Sequence, residues 1–364
     1  MNQAETSPKP TVLVVPLDWG LGHATRCIPI IKALINNNCR VYLAGEGNVK
    51  KLLEKEFPFL PFLDLRGYRV HYSRKGWQLP ISLMKQIPSL FRAINHEHKW
   101  LKEQVNKLSL NAVIADNRYG LYHSLIPGIF ITHQLYIKTG LGVLFDFLLQ
   151  KLNYRFINHF SECWVPDNKN VPNLANELSH PRKKPAIPLR YTGVLSRFKQ
   201  LTSNNEGKHL LVLISGPEPQ RSLFEQIIME QIRSYKDSVI IIKGKPASSS
   251  LFLQTENLKI FDHLPVRQLE EIMAQASFVI SRCGYSSVMD IIRMQKKSIL
   301  IPTPGQEEQK YLSRHLMKNN LALCVDQVKF NLVRSLELAA DFKYQTFSDN
   351  KNEIENIVAD FVVG

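Results

Sequence analysis

Two glycines and a histidine stand where an apolar segment gives way to a helical pattern. The run TVLVVPL, residues 11–17, is followed directly by DWGLGHATR, residues 18–26. A strand, a Gly-x-Gly turn and a helix start bring unpaired N–H groups and the positive end of the helix dipole to one point. We expect Gly20 and Gly22 to let a phosphate or an acceptor approach the backbone, with His23 beside it. These residues alone fit a tight turn with a partly exposed histidine equally well.

The elements around this turn alternate between strands and helices. Apolar runs such as RVYLAG, NAVIAD and GIFITHQ are separated by stretches with helical periodicity, which predicts a parallel sheet. After the polar segment LTSNNEGK the pattern begins again, with HLLVLIS, SVIIIKG, LKIFDHL, FVISRC, KSILIPT and LALCVD as strands. We therefore predict two doubly wound, Rossmann-like α/β domains over 11–200 and 207–345, facing a cleft at their strand ends. A last helix within 346–364 is expected to pack back on the first domain.

Composition and charge limit the class of protein. The chain has 364 residues, 44% of them apolar, and no uncharged apolar run long enough to span a bilayer. The first residues lack the pattern of a secretory signal, and the five cysteines have no metal-binding spacing, so we expect a cytoplasmic protein with reduced thiols. Residues 1–195 carry 25 Lys and Arg against 13 Asp and Glu, whereas residues 196–364 carry 21 against 19. This asymmetry favours an anionic partner for the first domain.

The most specific stretch is FVISRCGYSSVMDIIRMQKKSILIPTPGQEEQKYLSRHL, residues 278–316. It resembles the nucleotide-sugar-binding region of GT-B glycosyltransferases, particularly family 28. That family includes the peptidoglycan N-acetylglucosaminyltransferase, which acts on a lipid-linked acceptor, and the plant monogalactosyldiacylglycerol synthases. GLGHATRCIPII resembles the glycine-rich loop of the same family. The resemblance implies a GT-B fold and a UDP-sugar-dependent hexosyltransferase that needs no obligatory metal or other cofactor, and no Asp-x-Asp metal signature is present.

The resemblance also assigns the donor site to the second domain. The turn and helix start after FVISRC can offer N–H groups to a diphosphate, and an acid at the position of Asp290 binds ribose hydroxyls in the family. Gln306 and Gln309 match positions that contact the donor sugar and ribose, and the loop LISGPEPQR is a third donor element. The predicted donor residues are Ser215, Gly216, Arg221, His263, Leu264, Arg282, Gly284, Tyr285, Ser286, Ser287, Asp290, Gln306 and Gln309.

The first domain must then supply the base and the acceptor site. At a helix N-terminus the dipole keeps the imidazole of His23 neutral, so it can accept a proton near pH 7. His23 is expected either to deprotonate an acceptor hydroxyl or to assist departure of the diphosphate. Asp18 could orient His23, act as the base itself, or cap the loop. The predicted acceptor-side residues follow two strands and are Asp116, Asn117, Arg118, His133 and Gln134.

The acceptor is less well defined by the sequence. ISLMKQIPSLFRAINHEHKW and YIKTGLGVLFDFLLQKLNYRF combine bulky apolar residues with Lys and Arg on the basic domain. That composition fits reversible attachment to an anionic membrane and an acceptor on a lipid or cell-envelope glycan. Core helices with basic outer faces would have a similar composition. No nucleic-acid-binding motif accompanies the charge.

Three other functions remain open at this point. Gly20, Gly22 and Glu46 imitate the fingerprint of an NAD enzyme, although Thr25 occupies its third small position and the second-domain motif is left unexplained. A nucleotide-sugar epimerase or hydrolase would share the donor site without an acceptor. A binding protein could keep the same cleft without turnover.

Overall fold

The first half of the chain forms a seven-stranded parallel sheet. The computed structural model describes residues 9–69, 79–199, 207–216, 218–245, 251–349 and 353–363. The strands are β1 (Thr11–Pro16), β2 (Arg40–Gly45), β3 (Phe62–Asp64), β4 (Ala112–Asp116), β5 (Gly128–Ile131), β6 (Glu162–Val165) and β7 (Leu189–Tyr191). Their order is β3-β2-β1-β4-β5-β6-β7. β1 and β4 are buried at every residue, as expected for continuous apolar runs at the centre of a parallel sheet.

Four helices connect these strands. They are α1 (Leu21–Asn36), α2 (Gly47–Glu56), α3 (Leu79–Leu108) and α4 (Val143–Ile157). α1 follows β1 after a turn of four residues, so the first turn of α1 lies at the carboxyl edge of the sheet. β1 and β4 are neighbours in the sheet, but the chain leaves β1 toward β2 on one side and leaves β4 toward β5 on the other. Open α/β sheets bind ligands at the carboxyl edge beside such a switch in strand order.

The second half repeats this architecture. Its strands are β8 (His209–Leu213), β9 (Val239–Ile242), β10 (Leu251–Gln254), β11 (Leu258–Phe261), β12 (Ala276–Arg282), β13 (Ser298–Ile301) and β14 (Leu323–Cys324). They lie in the order β10-β11-β9-β8-β12-β13-β14, parallel except for the β10–β11 pair at the edge. The helices are α5 (Gln220–Ile232), α6 (Val266–Ala274), α7 (Tyr285–Arg293), α8 (Glu307–Lys318) and α9 (Leu332–Asp341).

The last described helix, α10 (Glu353–Val363), lies against α1 of the first sheet rather than against the second. Ile357 and Val358 are buried there, and the Phe361 ring meets Trp164 edge-on, with ring centroids 5.8 Å apart. The chain therefore passes from the first sheet to the second and returns.

The predicted pair of doubly wound α/β sheets is confirmed. Each of the strands named from the sequence is present, while β3, β7 and β10 were not predicted. Residues 201–206 of the predicted linker LTSNNEGK, residue 200 before it and Pro217 of the donor loop lie outside the described residues.

Candidate functional site

A histidine and an aspartate meet at the carboxyl edge of the first sheet. His23 is in the first turn of α1, and Asp116 is the last residue of β4. The Nδ1 atom of His23 lies 3.2 Å from each carboxylate oxygen of Asp116. The same nitrogen lies 2.8 Å from Nη2 of Arg26. In a neutral ring, Nδ1 can either accept from Arg26 or donate to Asp116, and in the tautomer that donates to Asp116, Nε2 is left as a proton acceptor.

The surroundings of this pair set the charge of both groups. Burial lowers the pKa of His23 below its usual value, Asp116 opposes that shift, and the Arg26 guanidinium reinforces it. Burial also disfavours ionisation of Asp116, but the positive charge of Arg26 and the hydrogen bonds from Arg26 and His23 outweigh it and lower the pKa of Asp116 to about 2. His23 is therefore neutral and Asp116 ionised at neutral pH, which is the charge state of a histidine general base with an orienting carboxylate.

The pair belongs to a larger set of ionisable side chains that joins the two domains. Arg26 donates from Nε to Asp116 at 2.7 Å, and its Nη1 lies 3.3 Å from Nδ1 of His133. Nε2 of His133 lies 2.7 Å from Oε1 of Glu308, at the start of α8 in the second domain. We call His23, Arg26, Asp116, His133 and Glu308 the interdomain polar cluster. It connects the candidate base with the loop that leads into α8.

Beside this cluster, the two domains are also in contact through a side-chain-to-backbone hydrogen bond and a pair of stacked rings. Ser286, in the first turn of α7, donates from its hydroxyl to the carbonyl of Gly22 at 2.9 Å. A Cβ at Gly22 would lie 2.9 Å from the Ser286 hydroxyl oxygen, so glycine is needed for this close approach. Tyr285 stacks on His133 with ring centroids 4.0 Å apart and donates to the carbonyl of Pro166 at 2.6 Å. The predicted phosphate loop and the predicted donor helix are thus in contact.

Asp290, the predicted ribose ligand, is buried on α7 and accepts hydrogen bonds from two residues of the segment between the two sheets. Its carboxylate accepts from the Ser196 hydroxyl at 2.7 Å and from Nε of Arg197 at 3.0 Å. Burial raises the pKa of Asp290, while Arg197 and Ser196 act against that shift. A ribose that binds this carboxylate must displace or share these two donors.

A cavity of about 160 Å³ lies between α2 and the start of α6. Its lining residues are Leu52, Lys55, Glu56, Arg197, His263, Pro265 and Val266. Burial, with the charges of Lys55 and Arg197, lowers the pKa of His263 to about 4. The neighbouring Leu264 is buried and does not line the cavity. The cavity shares Arg197 with Asp290, which places it next to the predicted ribose position.

The remaining predicted donor residues lie at the cleft or in the loops that form its edge. Gln309 accepts from the backbone N–H of Thr303 at 2.8 Å and donates to Gln306, so this pair fixes the loop between β13 and α8. Ser215 and Ser287 are half-buried. A Cβ at Gly20, Gly216 or Gly284 would meet no atom within 4 Å, so these turns face open space that a ligand could occupy.

Two arginines predicted for the donor site point into the second domain instead. Arg221 pairs with Glu218 at 2.6 Å and with Glu225 at 2.9 Å, which neutralises its charge within α5 and the preceding turn. Arg282 is 1% exposed and stacks over Phe224, while its Nη2 donates to the carbonyl of Gln220 at 3.1 Å. Burial lowers the pKa of Arg282 to about 10. Both arginines are therefore placed to hold the donor loops rather than to contact a phosphate.

Arg118, predicted for the acceptor side, is also turned inward. It is fully buried, donates from Nε to Glu97 at 2.7 Å and from Nη2 to the carbonyl of Arg66 at 2.7 Å. Tyr68 donates to the same carboxylate at 2.9 Å. This pair joins α3 to the end of β4, and the guanidinium has no access to the cleft.

Asp18 is not the partner of His23. Its carboxylate accepts from the backbone N–H of Tyr68 at 3.1 Å, and a Cβ at Gly67 would lie 1.9 Å from its Oδ2. Asp116 occupies the orienting position, and Asp18 stabilises the loop after β3. The structure thus favours the structural role that the sequence left open for Asp18.

Asn117 and Gln134 flank the interdomain polar cluster. Asn117 has a left-handed backbone (φ 53°) and donates from its N–H to the carbonyl of Ile131 at 3.1 Å. Gln134 accepts at its backbone carbonyl from Asn153 of α4 at 3.1 Å. Both residues are half-buried at the sheet edge.

Sequence reasoning missed three residues of the site: Arg26, Arg197 and Glu308. Arg26 follows His23 by three positions on a helix, so the two share a face, and that spacing could have identified it. Arg197 and Glu308 lie far along the chain from their partners, and no local pattern distinguishes them. Within the described residues, no cluster of His, Cys, Asp and Glu has the arrangement of a metal site. No described helix is both long and apolar enough to cross a bilayer.

Comparison with known proteins supports the fold and the assignment of the second domain. Residues 210–363 match the glycosyltransferase family 28 C-terminal domain. UDP-N-acetylglucosamine--N-acetylmuramyl-(pentapeptide) pyrophosphoryl-undecaprenol N-acetylglucosamine transferase from Sulfurihydrogenibium sp. is 29% identical over 199 residues, which cover 50% of this chain and 56% of that protein. The enzyme of the same name from Clostridium botulinum is 23% identical over 300 residues, covering 77% of this chain and 75% of that protein.

A solved structure shows the same fold over nearly the whole chain. The glycosyltransferase of kitacinnamycin has a TM-score of 0.62 and 13% identity, with 98% of this chain and 95% of that chain covered. The chain therefore has the two-domain GT-B fold, and its residues 210–363 are similar to the C-terminal domain of family 28 glycosyltransferases.

Proposed function

We propose that this glycosyltransferase moves a sugar from a UDP-sugar to an acceptor hydroxyl, with His23 as general base. The His23–Asp116 pair is the observation that carries the proposal. It combines a neutral imidazole, a buried carboxylate on Nδ1 and a position directly opposite the donor helix α7. No other described pair in the cleft unites these properties.

In the proposed reaction, the acceptor oxygen attacks the anomeric carbon as its proton passes to Nε2 of His23. The bond between the anomeric carbon and the diphosphate oxygen breaks, and UDP leaves with the electron pair. Attack from the face opposite the leaving group gives inversion at the anomeric carbon. The imidazolium that forms is stabilised by Asp116, which stays ionised because its pKa is about 2.

We place the donor against the second domain. The first turn of α7 offers N–H groups and the positive helix end to the diphosphate, which requires no metal for this contact. Asp290 is the ribose acceptor, and the cavity of about 160 Å³ beside His263 and Val266 is assigned to the base. Gln306, Gln309 and Glu308 lie on the loop that would meet the sugar.

The acceptor in this proposal is borne by a lipid or a cell-envelope glycan, and the enzyme works at a membrane surface from the cytoplasmic side. The names of the two relatives from Sulfurihydrogenibium sp. and Clostridium botulinum include pyrophosphoryl-undecaprenol, which supports a lipid-linked substrate. The excess of Lys and Arg in residues 1–195 supports an anionic surface.

Product analysis after incubation with radiolabelled UDP-sugars and a lipid extract tests the proposal. We expect label in the lipid fraction with wild type, and roughly 10²–10⁴-fold slower labelling with His23→Ala. Release of free labelled sugar alone would indicate a hydrolase, and a change of the sugar within the nucleotide would indicate an epimerase. UDP binding without any labelled product would indicate a binding protein. Each of these three outcomes would overturn the transferase proposal.

A further inference from the structure

The cavity between α2 and the start of α6 has walls from both domains. Leu52, Lys55 and Glu56 line it from α2 of the first domain, and residues of the loop 263–266 line it from the second. Arg197, in the segment between the two sheets, completes the lining. We call this space the α2–α6 cavity. A ligand that fills it would touch both domains at once.

Packing fixes the first-domain wall of this cavity. Leu52 is 4% exposed and belongs to the same buried apolar cluster as Leu264 and Val266 of the second domain. Glu56 forms an ion pair with Lys32 of α1, with Nζ and Oε1 3.6 Å apart. Because these contacts hold the end of α2 in place, its wall of the cavity exists before any ligand binds.

The polar groups of the α2–α6 cavity suit a neutral ligand with carbonyl oxygens. Lys55 and Arg197 are cations and hydrogen-bond donors. Burial, with the charges of these two residues, lowers the pKa of His263 to about 4, so its ring is neutral at pH 7. Two carboxylates disfavour a phosphate in the same space: Glu56 in the lining, and Asp290, which accepts from Nε of Arg197 at 3.0 Å.

Among the pyrimidine bases, uracil matches these groups better than cytosine. The edge of uracil has two carbonyl oxygens on either side of one N–H group. Cytosine has an amino donor in place of the 4-carbonyl oxygen. An amino group beside the Lys55 ammonium would bring two donors together and leave both without an acceptor.

We propose that α2 of the first domain takes part in base selection, with Leu52 against the uracil ring and the Lys55 ammonium donating to its 4-carbonyl oxygen. The ribose of the same nucleotide then lies toward Asp290, because Arg197 contacts Asp290 and also lines the cavity. The inference rests on the proposed function for the presence of a UDP-sugar. It adds that the two domains share the nucleotide site, and it names the residue that distinguishes uridine from cytidine nucleotides.

Calorimetry with UDP and with CDP tests the role of Lys55. In wild type we expect UDP to bind more tightly than CDP. Lys55→Met should weaken UDP binding by roughly 10-fold, the usual effect of losing a hydrogen bond from a charged donor, and should change CDP binding much less. Lys55→Arg keeps a cationic donor and should retain most of the preference for UDP.

Lys51→Met is the matched control. Lys51 is exposed like Lys55 and lies four residues earlier on the same helix, but it does not line the cavity. This variant removes the same charge and should keep the wild-type ratio of CDP to UDP dissociation constants. Equal losses of UDP and CDP affinity in Lys55→Met would overturn the proposal, since Lys55 would then act through its charge alone. Unchanged affinity for both nucleotides would overturn it as well.

Photolabelling with 5-azido-UDP locates the base by a second route. The azide is next to the 4-carbonyl group, so irradiation should attach the nucleotide to the residues around that oxygen. We expect mass spectrometry to find the adduct in a peptide that contains residues 47–56, and excess UDP should prevent it. Adducts confined to peptides of the second domain would contradict the part assigned to α2.

Sugar transfer measured on the same preparations separates this inference from the proposed function. A protein that prefers UDP to CDP through Lys55 but transfers no sugar would refute the proposed function and leave the base assignment standing. A protein that transfers sugar, and whose preference for UDP is unchanged in Lys55→Met, would do the reverse.

Discussion

At the scale of single residues, the chemistry depends on side chains that the fold brings together over long separations. His23 and Asp116 are 93 positions apart, and His133 and Glu308 are 175 apart. The fold places each of them at the carboxyl end of a strand or at a helix start, where the two domains face each other. Local sequence pattern identified His23 and Asp116 separately, but their pairing with each other became evident only in the structure.

His23→Ala is predicted to reduce transfer by roughly 10²–10⁴-fold, the usual effect of losing a positioned general base. UDP affinity should stay nearly unchanged, because most proposed donor contacts come from the second domain. Single-turnover transfer and calorimetry measure the two quantities. Asp18→Asn is the control and should have a mild effect. A large loss of transfer in Asp18→Asn with a small loss in His23→Ala would assign the base role to Asp18. Loss of UDP affinity in both variants would show that the turn binds the donor phosphate.

The pH dependence of kcat/KM should report the free histidine. Because burial lowers the pKa of His23, the rate is expected to rise through a midpoint below pH 6.5 and then level off. Asp116 raises the pKa of His23, so Asp116→Asn should move the midpoint to still lower pH. A midpoint that moves upward in Asp116→Asn would contradict the assigned pairing.

Asp290→Ala is predicted to weaken UDP binding by about 1–3 kcal/mol through loss of the ribose hydrogen bonds. Asp290→Glu should retain most of the affinity, since the acceptor chemistry is the same with a longer reach. Calorimetry of the two variants beside wild type measures both effects. Equal UDP affinity of Asp290→Ala and wild type would remove Asp290 from the site and leave it as a structural partner of Arg197.

At the scale of elements, buried ion pairs fix the helices and loops that carry the site. Glu97→Gln is predicted to destabilise the protein by roughly 3–5 kcal/mol, because the buried guanidinium of Arg118 would lose its carboxylate. Urea unfolding followed by circular dichroism measures this. Glu271→Gln is the control: its partner Arg267 is exposed, so the change should cost less than about 1 kcal/mol. Similar effects of the two changes would show that the buried pair does not anchor α3.

Most elements were predictable from sequence, and the exceptions have physical reasons. Buried strands such as β1 and β9 are continuous apolar runs with β-branched residues, which identify them directly. β3 and β7 have only three residues each, and β10 is an antiparallel edge strand, so none has the pattern of a central strand. The burial of Arg118 and Arg282 was also unpredictable, because each depends on an acid, carbonyl or ring supplied by the tertiary fold. Arg221 is different, since its partners Glu218 and Glu225 are three and four positions away and the sequence shows that spacing.

At the scale of the whole molecule, the site exists only where the two domains meet. Gly22→Ala would place a methyl group 2.9 Å from the Ser286 hydroxyl oxygen and 3.1 Å from its Cβ. We expect this clash to lower transfer by roughly 10-fold or more by displacing His23 relative to α7. Ser286→Ala removes the closer atom, so the double variant should be less impaired than the two single effects combined. Strictly additive effects in this double-mutant cycle would show that the contact does not couple the domains.

The return of α10 to the first sheet determines where the chain can be divided into separate domains. Ile357 and Val358 of α10 complete the apolar packing around α1, although residues 210–363 match a single family module. A fragment cut at the linker near residue 200 would expose the apolar face of α1 that α10 covers. A chimaera that exchanges all of residues 210–363 would place a foreign α10 against that face. Modularity here follows spatial contact rather than chain order. A donor-specificity swap should therefore exchange residues 207–345 and retain 353–363 with the acceptor domain.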